Sequence, residues 1–223
     1  CENHAKVTLN TDNAPTGNVY LSGVVGTNNS TEVKNCKNTA DITVNAPAGG
    51  AMMSISGVTG YSSGPITDCY NEGAISFNTE GAIKGTSVAG IAPYSSGAVT
   101  GCVNKGDISV YCTSFAGTNN LGSITTSNAS QAATCGAYGV LGYSYKADVA
   151  NCENHGKITF HMTKAETSTS NSGRQGSAGV VGHPWGNVDN CKNFGDMDIR
   201  YASSTGDIFT DKAQCVMIGG IAC

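Results

Sequence analysis

Two residue types recur in this sequence at a spacing that invites a chemical reading: cysteine followed two positions later by asparagine, six times over. The pairs are Cys1 with Asn3, Cys36 with Asn38, Cys69 with Asn71, Cys102 with Asn104, Cys152 with Asn154 and Cys191 with Asn193. Cysteines can ligate metals, act as nucleophiles or pair as disulfides, and each use demands its own neighbourhood. Zinc sites gather ligands in short Cys-x-x-Cys or histidine-paired clusters. No such pair occurs here, and His4, His155, His161 and His183 stand singly, so neither a metal site nor a cofactor is expected. Nucleophilic chemistry is not indicated either, because a Gly-x-Ser-x-Gly elbow, a phosphate loop and a paired-histidine motif are all missing. What remains is the regularity itself, since side chains repeated at a near-constant interval stack when a chain coils upon itself. Stacked side chains lie parallel, whereas a disulfide needs Cβ atoms about 3.5 to 4.5 Å apart and turned toward each other. The six cysteines are therefore expected as an inward ladder of thiols that fill a core. The six asparagines either take left-handed turn conformations or stack their amides from coil to coil. Cys112, Cys135, Cys215 and Cys223 lie off the motif. A Cys112–Cys135 disulfide is expected to pin an insertion in the longest interval, contributing about 3 kcal/mol.

Acid–base chemistry would need clustered carboxylates. The densest group is Asp189, Asp196, Asp198, Asp207 and Asp211 with Arg200 and His183. These are the residue types that cleave polysaccharides on β-helical scaffolds, but charged residues near a loop ordinarily form a solvated surface. No catalytic residue is assigned, and the chain is read as a non-enzyme. Aromatic side chains offer binding instead. Tyr61, Tyr94, Tyr143 and Trp185 each follow a Gly-apolar-x-Gly element closely. Rings at that place either cap the core beside the glycines or face outward as a row on which sugar rings stack.

These residues must be positioned by something periodic. The Cys-x-Asn motifs follow one another at intervals of 35, 33, 33, 50 and 39 residues. Four residues after each Cys stands Ala5, Ala40, Gly73, Gly106, Gly156 or Gly195, and at six and eight stand apolar pairs running from Val7/Leu9 to Met197/Ile199. Thr, Ser or Asp198 separates each pair, which is the period-two alternation of a half-buried strand. Upstream of the internal cysteines come Gly23-Val-Val-Gly26, Gly57-Val-Thr-Gly60, Gly90-Ile-Ala-Pro93, Gly139-Val-Leu-Gly142 and Gly179-Val-Val-Gly182, then Val33, Ile66, Val99, Val149 or Val188. Each unit thus predicts about three short strands separated by Gly, Asn and Pro turns. Thirty glycines in 223 residues exclude useful helices, and the Gly-free stretch Phe160–Ser172, mostly Thr and Ser, reads as a loop. One unit of this size cannot bury its own apolar face, but stacked units can. The predicted fold is all-β, a right-handed parallel β-helix or solenoid of about six stacked three-strand coils. Residues 1–223 form a single repeat array with units starting near 1, 36, 69, 102, 152 and 191. Because the array begins and stops in mid-repeat, the chain is expected to be a fragment of a longer one.

Composition narrows the function. Only 13% of residues are charged and the formal net charge is −4, so the surface is largely hydroxyl and amide and lacks the basic stripe that nucleic acid requires. No apolar run approaches the roughly 18 to 20 residues that span a bilayer. The combined pattern resembles the GLUG repeat family of bacterial surface proteins, most clearly from Gly57-Val-Thr-Gly60 through Gly64-Pro-Ile-Thr-Asp-Cys69-Tyr-Asn-Glu-Gly73-Ala-Ile75 and from Gly90 through Ile108. Pro93 replaces a motif glycine in one copy, and Ala5 and Ala40 replace a later one in two. The resemblance implies an exported, extracellular, surface-displayed β-solenoid and does not imply catalysis. Three functions follow as expectations: a structural or adhesive repeat region of a bacterial surface protein or fibre, a glycan-binding module using Tyr61, Tyr94, Tyr143 and Trp185, and a polysaccharide lyase or hydrolase. Expected partners are other segments of the same polypeptide, identical chains, or host and environmental glycans and proteins.

Overall fold

In a parallel stack each strand pairs with its equivalent one repeat away, so the repeat interval becomes the pairing register. A computed structural model describes residues 1–47, 53–83, 85–115, 135–164, 173–202 and 214–223. Among them the strands pair in parallel and in phase with the Cys-x-Asn motif, as in Ile42↔Ile75↔Ile108↔Ile158↔Met197. The chain is all-β, repetitive and solenoid-like.

Five sheets of three or more strands run along the stack. A corner ladder is made of two-residue strands: Glu2–Asn3, Lys37–Asn38, Tyr70–Asn71, Val103–Asn104, Glu153–Asn154 and Lys192–Asn193. The long sheet comprises Val7–Asn10, Ile42–Asn45, Ile75–Asn78, Ile108–Cys112, Ile158–Met162 and Met197–Tyr201. Beyond it lies the return sheet, Val19–Ser22, Met53–Ser56, Thr86–Ala89, Cys135–Tyr138, Gly173–Ala178 and Gln214–Gly219. The tyrosine sheet follows with Ala92–Ser95, Leu141–Ser144 and Val181–Pro184, and the valine ladder with Val33–Lys34, Ile66–Thr67, Val99–Thr100, Val149–Ala150 and Val188–Asp189.

The expected three strands per coil are therefore more numerous and shorter. The coil that begins at Ile66 holds Ile66–Thr67, Tyr70–Asn71, Ile75–Asn78, Ala82–Ile83, Thr86–Ala89 and Ala92–Ser95. Sharp corners cause the division. The residue immediately before each internal cysteine takes a left-handed backbone: φ is 53° at Asn35, 51° at Asp68, 66° at Gly101, 55° at Asn151 and 46° at Asn190. Asn, Asp and Gly tolerate that region where other side chains clash. The stretch read as a loop also begins as structure, because Phe160 to Met162 complete the long-sheet strand Ile158–Met162; residues 165–172 lie outside the described residues.

Among the described residues two large apolar cores result, beside a small cluster of Ala89, Tyr138 and Ala178. The first lies between the long and return sheets and includes Ile42, Val44, Ile55, Phe77, Val88, Val110 and Phe160. The second joins the valine ladder to Val58, Ile91, Val140 and Val180 of the glycine motifs, together with Cys36, Cys69, Cys102 and Cys152. Each of those thiols, and that of Cys191, donates to the carbonyl two residues earlier at 3.3 to 3.5 Å. Cys1 is exposed at the end of the row.

The motif asparagines line the interior as a third element. From Asn3 to Asn193 each Nδ2 donates to the next coil's Oδ1 at 2.7 to 2.8 Å. Its second N–H reaches the carbonyl two residues on, at 2.7 to 3.0 Å. Asn38, Asn71, Asn104 and Asn154 are completely buried, and this full pairing is what makes a buried amide row tolerable. It also explains the first motif glycine. A Cβ at Gly57 would sit 2.3 Å from Asn71 Oδ1 and 2.5 Å from the Gly90 carbonyl oxygen, so only glycine lets the chain pass this close.

Cys112 and Cys135 are separate thiols rather than the expected disulfide. Both belong to the first core, one on the long sheet and one on the return sheet. Cys112 extends the inward row of Ile108 and Val110, and burial pushes its thiol up to about 12. Cys135 Sγ accepts a hydrogen bond from the Thr86 N–H at 3.1 Å. Packing inward, they serve as core fillers. Among the described residues no helix is long and apolar enough to cross a membrane.

Candidate aromatic binding site

The position after the second motif glycine or Pro93 carries Tyr61, Tyr94, Tyr143 and His183. Pairing in the tyrosine sheet sets Tyr94 opposite Tyr143 and Tyr143 opposite His183, and a bridge between Ser62 and Ser95 extends the register to Tyr61. The next residue in three of these coils points inward: Ser62, Ser95 and Ser144 are completely buried, and their hydroxyls donate to the Gly64, Gly97 and Ala147 carbonyls at the following turn. Strand alternation therefore sends the rings to the outer side.

There they form a continuous stack. Ring centroids of Tyr61 and Tyr94 lie 4.7 Å apart at 2°, Tyr94 and Tyr143 5.6 Å apart at 21°, and Tyr143 and His183 5.6 Å apart at 12°. Tyr20 closes the Tyr61 end edge-on at 5.9 Å and 70°. Burial rises along the row: Tyr61 and Tyr94 are half-buried and Tyr143 is only 1% exposed. Burial, with the neighbouring Tyr61 phenol, pushes the Tyr94 phenol well above the ordinary tyrosine range.

Trp185 is not the fourth rung that the sequence predicts. His183 takes that place, and Trp185 stands two residues later beside Tyr145, with centroids 5.5 Å apart at 40°, and tilted 58° from Tyr143 at 6.3 Å. The signal that would have found His183 and Tyr145 is strict counting from the first motif glycine: four residues gives the stack, and six gives Tyr145 and Trp185. The distinction matters chemically. Rings stacked face to face turn their edges to solvent, whereas a sugar packs its C–H face against an open ring face. The more open ring is Trp185, 40% exposed; Tyr145 beside it is half-buried, near-parallel to Tyr143 at 6.5 Å and 18°, with Lys146 Nζ over its ring at 5.2 Å.

Among the described residues the carboxylates stand on different elements. Asp198 bonds to Arg200 Nε at 3.1 Å and to His161 Nε2 at 3.0 Å on the outer face of the long sheet. The Arg200 guanidinium, and then His161, hold its carboxyl below the usual range, which suits a fixed ion pair and not a proton donor. Asp189 lies on the valine ladder and His183 in the aromatic stack, while Asp207 and Asp211 lie outside the described residues. Among the described residues no group of three or more His, Cys, Asp or Glu is placed to hold a metal ion.

Compared with known proteins, the chain matches no family model, no curated protein and no solved structure. The resemblance to GLUG repeats thus rests on the motifs alone. What the structure carries is the broader class, a repetitive all-parallel β-scaffold.

Proposed function

We propose that this chain is a glycan-binding repeat region of an exported bacterial surface protein, wound right-handed as parallel crossovers are. The observation that carries this reading is the Tyr61–Tyr94–Tyr143–His183 stack ending beside the tilted faces of Tyr145 and Trp185. The stack holds Tyr145 and, against it, the exposed Trp185 ring in place, so a sugar ring packing on Trp185 orders few additional side chains. Hydroxyl and amide groups around it supply partners for sugar hydroxyls. A structural or adhesive spacer is the second reading, supported by the fully paired asparagine ladder, which gives a long array stiffness without any ligand. The two are compatible when the same array both spans a distance and holds glycans.

The test is binding to a panel of mucin-type and plant polysaccharides before and after Trp185→Ala and Tyr145→Ala. Loss of one face is expected to weaken binding about tenfold, equivalent to about 1.4 kcal/mol, with Tyr94→Ala acting less directly through the stack. Equal binding by the Trp185→Ala/Tyr145→Ala double variant would remove the aromatic corner as the site.

A further inference from the structure

The long sheet carries a second set of rows on its solvent side. Thr8, Thr43, Ser76, Ser109 and Thr159 alternate with the inward apolar residues, and two positions further along each strand stand Asn10, Asn45, Asn78, Tyr111, His161 and Arg200 in register. Asn45 Nδ2 donates to Asn10 Oδ1 at 2.9 Å and Asn78 Nδ2 to Asn45 Oδ1 at 3.2 Å. The amide row ends against Tyr111, a ring 43% exposed and braced edge-to-face by His161 at 5.3 Å and 89°. These four residues line a groove of about 640 Å³, with Pro47, Asp12 and Glu80 among its other walls. That volume falls within the range of ligand sites, about 300 to 1,000 Å³.

We propose that this groove binds an extended polysaccharide bearing free amino groups, at a site separate from the Trp185 corner and independent of it. Three features select that ligand. Successive rungs of a parallel stack are about 4.8 Å apart, close to the advance of one sugar along an extended β-linked chain, so each coil offers one amide per sugar. Among the described residues Asn45 and Asn78 each use one N–H along the row and have a second to offer, and an amide oxygen has two lone pairs of which the row uses at most one. A donor beside an acceptor complements a sugar hydroxyl, which is both. Tyr111 then supplies an aromatic face where the amide row stops. Charge decides between glycan classes. Among the described residues of the lining the charged ones are Asp12 and Glu80, which attract ammonium groups and repel uronate or sulfate chains.

Calorimetric titration of the whole chain with a β-linked glucosamine hexamer, its fully N-acetylated counterpart and oligogalacturonate tests this directly. The glucosamine hexamer is expected to bind tightest and oligogalacturonate not at all, with the preference for the free amine shrinking as salt rises. Tyr111→Ala is expected to weaken the hexamer about tenfold. Asp12→Asn with Glu80→Gln should bring it down to the acetylated ligand, and Tyr70→Ala, which removes an exposed ring on the corner ladder away from the groove, should leave it unchanged. Unaltered circular dichroism in each variant keeps the comparison to binding. Absence of hexamer binding, tighter binding of oligogalacturonate, indifference to Tyr111→Ala, or an equal loss on Tyr70→Ala each overturns the proposal; equal affinity for both hexamers overturns the assignment of the amine.

Discussion

Asparagine forms two rows in this molecule, one inside and one outside, and they use the same side chain at the same rung spacing to different ends. In the interior row running from Asn3 to Asn193 each amide spends both N–H groups, one on the next rung and one on its own turn. In the exterior row of Asn10, Asn45 and Asn78 the side-chain bonds among the described residues run along the row. A buried amide must satisfy every polar atom within the protein because water is not at hand. An exposed one need not, and what it leaves unspent is available to a ligand. The comparison teaches that a repeated polar residue is diagnostic of function only once its side of the sheet is known.

The interior row is where the largest effect is expected. Asn71→Leu keeps approximate volume but strands the Asn38 N–H, the Asn104 carbonyl oxygen and the Gly73 carbonyl, which Asn71 now satisfies. At roughly 1 to 3 kcal/mol for each buried group left unpaired, unfolding free energy should fall by about 3 to 9 kcal/mol. A urea denaturation series measures it. A loss under 1 kcal/mol would mean that the row contributes little and that the two asparagine rows do not differ as argued.

Tyr94 lies between these extremes, half-buried in an outward stack, and pH probes it. Its phenol is pushed up by burial and by Tyr61, so the neutral form belongs to the folded chain. The unfolded tyrosine ionises near 10. Stability from this group is therefore complete below about pH 10 and declines as pH rises through that value toward the folded one. Thermal melts between pH 9 and pH 11.5 should show the midpoint falling, and Tyr94→Phe should flatten part of the fall. Tyr201, Cys112 and Cys223, all raised chiefly by burial, retain part of the slope. An identical alkaline slope in Tyr94→Phe would indicate a solvated ring and a loose stack.

The class of fold was legible because its causes are local and repeated. Val7/Leu9 through Met197/Ile199 alternate with polar residues, and that alternation fixes strands whatever the corners do. Corners were less legible. Left-handed φ falls on Asn35, Asp68, Asn151 and Asn190, just before the cysteine, while the asparagine two residues after it serves the ladder; both positions favour the same residue type, and sequence could not divide the roles. Trp185 was misplaced because proximity to a glycine motif is looser than register, and His183 filled the rung. The amide groove drew no attention at all. Asn10, Asn45 and Asn78 occupy strand ends where asparagine reads as a turn residue, and only the pairing of coils reveals them as one row beside Tyr111.

The smallest expected effect sharpens the comparison most. Asn45→Ala removes the middle exterior rung, taking away its bonds to Asn10 and Asn78, yet leaves both neighbours accessible to water. Exposed substitutions of this kind ordinarily change stability by no more than about 0.5 kcal/mol, so its urea midpoint should match that of the unaltered chain within error while Asn71→Leu shifts far. The same residue type, in rows of the same rung spacing, would then differ about tenfold in stability effect, chiefly because one row is buried and the other exposed. If Asn45→Ala instead destabilised the chain by several kcal/mol, the exterior row would be holding coils together as the interior row does. Its amides would then be committed to the fold, and the groove would lose the donors on which ligand binding depends.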